Sequence, residues 1–401
     1  MTKEKKINRK DNKGKVLRKG ESQRKDGTYM FRFTDECKKR KSIYAKTLAE
    51  LREKELKIKR DKMDNIRLSV DYTVAQLVEL YLSLSQKNLS FNTMESNENA
   101  YRNHIKNSWL GYKKIKDTKK SDILLFYTEL SEKLKNNSIH SIHRVLSQAF
   151  KLALDDQMIR TNPTYGALKN FPADTEEKTI LTPQQLNDLI LYVKNHPYYY
   201  RWYPLIVILS ETMIRGGELC GLTWDDVDLK RKTIKIDHQI QYCKIKGKGK
   251  HILCICPPKT KNGKRTIPLT TKAYKAFIKQ KELQFSLNLY STTVIDGYEN
   301  FVFPTRRGNP TYTMALDNMF RNLTNRYNKE TSEPIPRLSC HVFRHTGCAI
   351  KAKDFFKLGL DPKILQTWMG HSSLTMTLGL YNHITEIDTQ NAINELNSMI
   401  G

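Results

Sequence analysis

No stretch of this 401-residue chain is apolar for the roughly 20 residues that a bilayer crossing needs. The amino terminus is polar and lysine-rich and has no apolar centre, so no secretory leader is expected. Cysteine is scarce: seven residues, an odd number, stand at Cys37, Cys220, Cys243, Cys254, Cys256, Cys340 and Cys348. That scatter excludes the disulfide framework of a small secreted domain. Cys254-x-Cys256 is the one close pair; it falls in an alternating, strand-like run without a second ligand pair beside it, so no zinc site and no other cofactor are expected. Internal repeats and low-complexity tracts are missing as well. Acidic residues are in deficit, 42 Asp and Glu against 69 Lys and Arg, for a net charge of +27. Asp225, Asp226 and Asp228 crowd together, but they follow Trp224 in what reads as a turn before a strand, where capping is their ordinary role.

The positive excess points to a polyanion, nucleic acid before a membrane surface. It is unevenly spread: residues 1–70 hold 24 basic and 11 acidic residues, a net of +13. A basic DNA-binding module is expected there, with a solvated tail as the competing reading. The module reads as three strands and a helix. Val16-Leu17-Arg18 forms the first expected strand, the turn Lys25-Asp26-Gly27 leads to Tyr29–Phe33, and Lys38-Lys39-Arg40-Lys41 turns the chain into Ser42–Ala45. Thr47 caps a helix to about residue 62, with Leu48, Leu51, Leu56 and Ile58 as its apolar residues. A sheet of this size fits the DNA major groove. Arg18, Lys19, Arg24, Lys25, Arg32, Lys38, Lys39, Arg40 and Lys41 are its candidate DNA contacts.

From Thr73 the apolar spacing becomes helical, with further helices predicted over 91–107, 119–135 and 138–156. Thr182-Pro183-Gln184-Gln185 opens another helix as a capping box with proline in its first turn. Alternation over residues 231–269 predicts a small antiparallel sheet among helices. The fold class expected is therefore multidomain α+β: a basic domain over 1–68, an all-helical domain over 72–170, and a larger, mainly helical domain with a small sheet over 178–401.

Arg215 and Glu218 are read as sharing a helix face, with Glu218 as a structural partner and Arg215 free to act. His341 and Arg344 share another face, and His345 is read as pointing off it. Two guanidinium forks suit the non-bridging oxygens of a phosphate and the charge of a pentavalent phosphorus. A tyrosine phenol, with its pKa near 10, needs a base and a cationic setting to attack such a centre. His341, His371 and the arginines supply both for Tyr381, in a covalent mechanism without metal.

In these residues the chain resembles the tyrosine recombinases, the integrase family, and most closely the integrases of conjugative transposons. Arg215-Gly-Gly-Glu-Leu is similar to that family's R-x-G-E-L segment, continued by Leu222-Thr-Trp-Asp-Asp-Val-Asp. Pro258-Lys259-Thr260-Lys261 with Arg265-Thr-Ile-Pro-Leu resembles its lysine-bearing hairpin, His341-x-x-Arg344-His-Thr its H-x-x-R-H-T, Met369-Gly-His371-Ser its L-G-H-S, and Leu380-Tyr381-Asn-His its nucleophile segment. The resemblance covers about residue 10 to the end. It implies Arg215, Lys259, His341, Arg344, His371 and Tyr381 as catalytic residues, with Lys261 the alternative to Lys259. It also implies a 3′-phosphotyrosine intermediate, double-stranded DNA bound at core and arm sites, a tetramer on DNA, an excisionase accessory protein and a bacterial cytoplasmic setting without membrane attachment. The stripe Ile384, Ile387, Ile393, Leu396 and Met399 or Ile400 fits either packing within the chain or docking on a neighbouring protomer. A type IB topoisomerase and a non-catalytic DNA-binding regulator remain as alternatives.

Overall fold

In the computed structural model the described residues are 9–67, 70–86, 89–174, 179–244, 251–258 and 260–370. The chain divides into two compact units, Met1–Thr175 and Glu176–Gly401.

The first unit opens with an antiparallel sheet of β1 (Glu21–Gln23), β2 (Tyr29–Thr34) and β3 (Arg40–Ala45), in that order. The first strand is thus Glu21–Gln23 and not Val16–Arg18; Val16 makes an isolated bridge to Lys10. Arg40 and Lys41 belong to β3 instead of the preceding turn. Helix α1 (Leu48–Met63) follows, capped by Thr47, whose side chain accepts from the Glu50 amide. Period-2 alternation turns Tyr29, Phe31 and Ala45 toward α1, where Leu48 and Leu51 complete a small core. Leu56 is 50% exposed, against expectation, and the carboxylate-bearing Glu55 is buried in its place. Glu21 pins sheet to helix: Arg52 Nε donates to it at 3.1 Å while Arg52 Nη2 reaches the Val16 carbonyl at 2.8 Å.

Helices α2 (Val74–Ser85), α3 (Phe91–Ala100), α4 (Trp109–Tyr112), α5 (Lys120–Ser131) and α6 (Asn136–Asp155) enclose the next core, with a π turn over Tyr101–Ile105 after α3. Along α6, Ile139, Ile142, Val145, Leu146, Ala149, Phe150 and Ala153 are buried. That is the 3- and 4-residue spacing of one helix face. Each large side chain so buried contributes roughly 1.5–3 kcal/mol.

The second unit begins with α7 (Pro183–Asn195) on its Thr182 capping box. The largely apolar α8 (Tyr203–Thr212) runs through the middle of the core, every residue from Pro204 to Ser210 being buried. The short α9 (Gly216–Gly221) follows, then β4 (Val227–Asp228), β5 (Thr233–Ile236), β6 (Gln239–Lys244), β7 (His251–Cys256) and β8 (Arg265–Pro268). These strands form two sheets, β4-β5-β8 and the hairpin β6-β7. Helices α10 (Thr271–Ser286), α11 (Thr313–Glu330), α12 (Cys340–Lys357) and α13 (Pro362–Met369) complete the described part. Gly347 lets α12 lie against α8: a Cβ there would stand 2.0 Å from the Ser210 carbonyl oxygen. No helix among the described residues is long and apolar enough to cross a membrane. Asp226 and Asp228 act as caps, accepting from the Thr223 amide at 2.9 Å and the Arg231 amide at 2.8 Å.

Candidate active site

Helix α8 ends on Met213, a non-glycine residue in the left-handed region at φ 54°. That conformation costs on the order of 1–2 kcal/mol, and here it turns the chain sharply out of α8. Arg215, two residues on, is in extended conformation as the N-cap of α9, so it precedes the helix that sequence spacing placed it in. Glu218 sits in the first turn and closes the cap, accepting from the Arg215 amide at 2.9 Å and from Arg215 Nη1 at 2.9 Å.

Glu218 is buried and holds a second arginine that sequence reading gave no role. Arg265, the first residue of β8, donates Nη2 to Glu218 Oε2 at 2.9 Å and Nη1 to Oε1 at 3.2 Å, a two-pronged pair. Burial pushes the Glu218 carboxyl up, but the Arg265 hydrogen bonds and charge more than offset this and hold it below its usual range. Arg265 also donates Nη1 to the Gly263 carbonyl at 2.8 Å, fixing the loop that follows Thr260.

Three arginines then converge on one helix end. Arg265 Nε donates to the Trp368 carbonyl at 2.6 Å, Arg344 Nη2 to the Met369 carbonyl at 2.6 Å, and Arg215 Nη2 to the Gly370 carbonyl at 3.1 Å. These are consecutive carbonyls at the carboxyl end of α13, where the last turn leaves acceptors unpaired and the helix dipole is negative. Gly370 closes the helix in the left-handed region at φ 61°. A Cβ there would meet Asn262 O at 3.0 Å and Arg265 Nη1 at 3.1 Å, so both backbone and space call for glycine.

Arg344 is 3% exposed and donates Nη1 to the Met213 carbonyl, which explains the orientation of that strained residue. Burial and the neighbouring Arg215 charge push Arg344 below the usual arginine range, with Glu218 opposing them. One carboxylate among three guanidinium groups leaves a positive excess, the setting that gains most from an arriving anion. Arg215, with 30% of its side chain exposed, is the more reachable of the two proposed clamps.

His341 lies exposed in the first turn of α12, behind the Ser339 cap. The His345 ring stacks 6.0 Å from it, so His345 lies beside His341 and does not point off that face. Thr346 Oγ1 accepts from the Leu181 amide at 2.9 Å and anchors the start of the unit. The nearby thiols are no nucleophiles near neutral pH: burial pushes Cys220 up, and Cys340 up to about 12. Lys259, His371 and Tyr381 lie outside the described residues, as does the 384–400 stripe.

In the first unit, Arg32 and Arg40 stand exposed on the sheet face away from α1, where the Arg24 guanidinium lies 5.4 Å from the Tyr44 ring centroid. Arg18, Lys19, Lys25, Lys38 and Lys39 are exposed in the turns. Lys41 departs from the set. It pairs across from Phe33, on the opposite face, and lies 3.6 Å from the buried Asp35 carboxylate.

A mainly helical unit with clustered arginines, preceded by a basic three-stranded module, is suited to holding the phosphates of DNA. Residues 179–387 match the phage integrase family and residues 5–62 match the family described as the DNA binding domain of Tn916 integrase. The chain belongs to the phage integrase family, the tyrosine recombinases, close to the integrases of conjugative transposons. It is 31% identical to the transposase of transposon Tn916 from Enterococcus faecalis over 94% of both chains. The identity is likewise 31%, over 94% of both, to the transposase of Tn1545 from Streptococcus pneumoniae. The Tn1549 transposon integrase, solved in complex with a circular intermediate DNA, superposes with a TM-score of 0.70 at 33% identity, over 81% of this chain and 99% of that one. The lambda integrase tetramer on a Holliday junction shares the fold, with a TM-score of 0.55 at 15% identity over 90% and 94% of the two chains. The chain is thus a site-specific DNA recombinase of the transposon type.

Proposed function

We propose that the chain integrates and excises a mobile element by cutting and rejoining double-stranded DNA through Tyr381. The observation that carries this reading is the convergence of Arg215, Arg344 and Arg265 on the α13 end, one residue before His371. In the proposed reaction the Tyr381 phenol oxygen attacks a DNA phosphorus. The P–O5′ bond breaks, the strand's 3′-phosphate becomes a phosphotyrosine, and the 5′-oxygen leaves as a hydroxyl. Arg215 and Arg344 bind the non-bridging oxygens, whose charge grows as phosphorus becomes pentavalent. Lys259, or Lys261 in its place, gives a proton to the departing oxygen. His341 helps remove the phenol proton, and His371 hydrogen-bonds the phosphate. A 5′-hydroxyl from the partner duplex then reverses each step. The phosphoester energy is kept in the link, so neither nucleotide nor divalent metal is required by this chemistry.

The basic module over 1–68 takes arm-type sites and the 72–170 helical domain with the 178–401 domain takes the core site. Two duplexes require four such sites, so a tetramer on DNA follows, with an excisionase setting direction. The protein then works where bacterial DNA lies, in the cytoplasm. The test is trapping on a nicked suicide duplex followed by peptide mapping. Attachment at Tyr381, lost in Tyr381→Phe with binding intact and unaffected by omitting magnesium and manganese, supports the reading. Attachment elsewhere or a strict need for those ions overturns it. Joining of two duplexes, beyond relaxation of supercoils, separates it from topoisomerase action.

A further inference from the structure

The β6–β7 hairpin carries a sulfur cluster that the recombination chemistry does not use. Its register pairs Gln239 with Cys256, Gln241 with Cys254 and Cys243 with Ile252. Directly paired residues and their second neighbours share a sheet face, so Cys243, Cys254 and Cys256 all lie on one side of the hairpin. Their three Sγ atoms lie within 4.8 Å of one another, each residue half-buried. Cys243 and Cys254 are joined as a disulfide with Cα atoms 6.4 Å apart, and Cys256 Sγ stands 3.9 Å from Cys254 Sγ. A disulfide accounts for two of these sulfurs and leaves the third without a purpose. A tetrahedral ion accounts for all three: with Zn–S bonds of about 2.3 Å, neighbouring sulfurs sit roughly 3.8 Å apart.

We propose that Cys243, Cys254 and Cys256, once reduced, bind one thiophilic zinc(II) ion on the face of this hairpin, with water or an added small ligand in the fourth position. Opening the disulfide takes two electrons and two protons from a pair of small thiols, which leave as their own disulfide. Binding then replaces three thiol protons by the ion. Soft thiolate sets select such ions over magnesium or calcium. Cys243 comes from the strand opposite the Cys254-x-Cys256 pair, eleven residues before Cys254, so spacing alone could not reveal the third ligand.

The ion would brace a defined piece of the protein. β6 packs on α9, where a Cβ at Gly221 would meet the Ile240 amide nitrogen at 3.0 Å, and α9 carries Glu218. β7 ends at Cys256 and continues through Pro257 and Pro258 into Lys259. The ion therefore stiffens the hairpin leading to the proposed general acid. That consequence rests on the proposed role of Lys259, whereas the metal site does not, and the test accordingly reads metal instead of recombination.

The full chain is reduced with a phosphine, given zinc sulfate, desalted and assayed for zinc by mass spectrometry. In parallel, cobalt(II) is added to the reduced chain and its sulfur-to-metal charge-transfer absorption recorded. About one zinc per chain is expected, falling at least roughly tenfold in Cys254→Ser and in Cys256→Ser and unchanged in Cys37→Ser. The cobalt band reports on the wild-type protein alone, so a misfolded variant does not decide the matter. Three results overturn the proposal: a reduced wild-type chain that keeps no zinc and shows no cobalt–sulfur band, zinc retained after all three cysteines are replaced, or a Cys243–Cys254 disulfide that persists in excess small thiol.

Discussion

Arg265→Ala tests whether the arginine cluster is held together by Glu218. The substitution removes four donated hydrogen bonds, two to Glu218 and one each to the Trp368 and Gly263 carbonyls. Glu218 keeps Arg215 but loses the partner that does most to keep it ionised in its buried setting. Removing one partner of a buried ion pair costs about 3–5 kcal/mol, and at roughly 2–4 °C per kcal/mol for a unit of this size the Tm falls by about 6–20 °C. Tryptophan fluorescence follows the transition, because Trp202, Trp224 and Trp368 lie in the second unit and Trp109 alone in the first. The pH dependence gives a signature that a packing defect lacks. The Glu218 carboxyl is depressed in the folded wild type, so its contribution is complete above the unfolded carboxylate value near 4.3 and disappears as pH falls through the folded value. In the variant burial acts with less opposition, and protonation of Glu218 relieves an under-compensated charge. The gap between wild type and variant should therefore be widest near neutrality and narrow on acidification. Arg265→Lys keeps the charge but not the fork, and should fold while cutting the suicide duplex on the order of 100-fold more slowly, since small displacements at a reacting centre cost that much. A stability loss below about 1 kcal/mol, the size of an ordinary substitution, or a gap that does not change between neutral and acid pH, would refute the clamp.

Other expectations follow from the same arrangement. Lys259→Ala should slow cleavage of ordinary DNA far more than of a duplex with a 5′-bridging phosphorothiolate, because sulfur departs without a proton; rescue seen in Lys261→Ala instead moves the role to Lys261. Deleting residues 1–70, which carry +13 of the +27 net charge, should abolish binding at one class of DNA site and keep cleavage at the other. The log–log salt slope should fall by roughly 0.9 for each phosphate that the shortened chain no longer neutralises, and unchanged affinity and slope at every site would make the segment a solubilising tail.

Much of the architecture was legible because it depends on short-range rules. Thr47 and Thr182 announce helices by capping, α6 by its apolar stripe, and the Asp26-Gly27 turn by backbone freedom. Each is a matter of neighbours within four residues. The strand ends were less legible. Glu21–Gln23 takes the edge of the first sheet in place of Val16–Arg18, because Arg52 of α1 draws Glu21 inward. Arg215, Glu218, His341 and Arg344 were picked out by type and order, yet whether Arg215 stands within α9 or caps it depends on the left-handed turn at Met213. Tertiary structure alone decided the role of Arg265, since nothing within four residues marks an arginine whose partners are Glu218, 47 positions earlier, and the Trp368 carbonyl, 103 later. It decided the third sulfur for the same reason: Cys243 meets Cys254 and Cys256 through strand register, and register is fixed by the pairing of whole strands. Composition and local pattern thus determine which elements form and which chemistry is at hand. Which charges share one helix end, and which thiols share one face, depend on burial that only the folded chain provides.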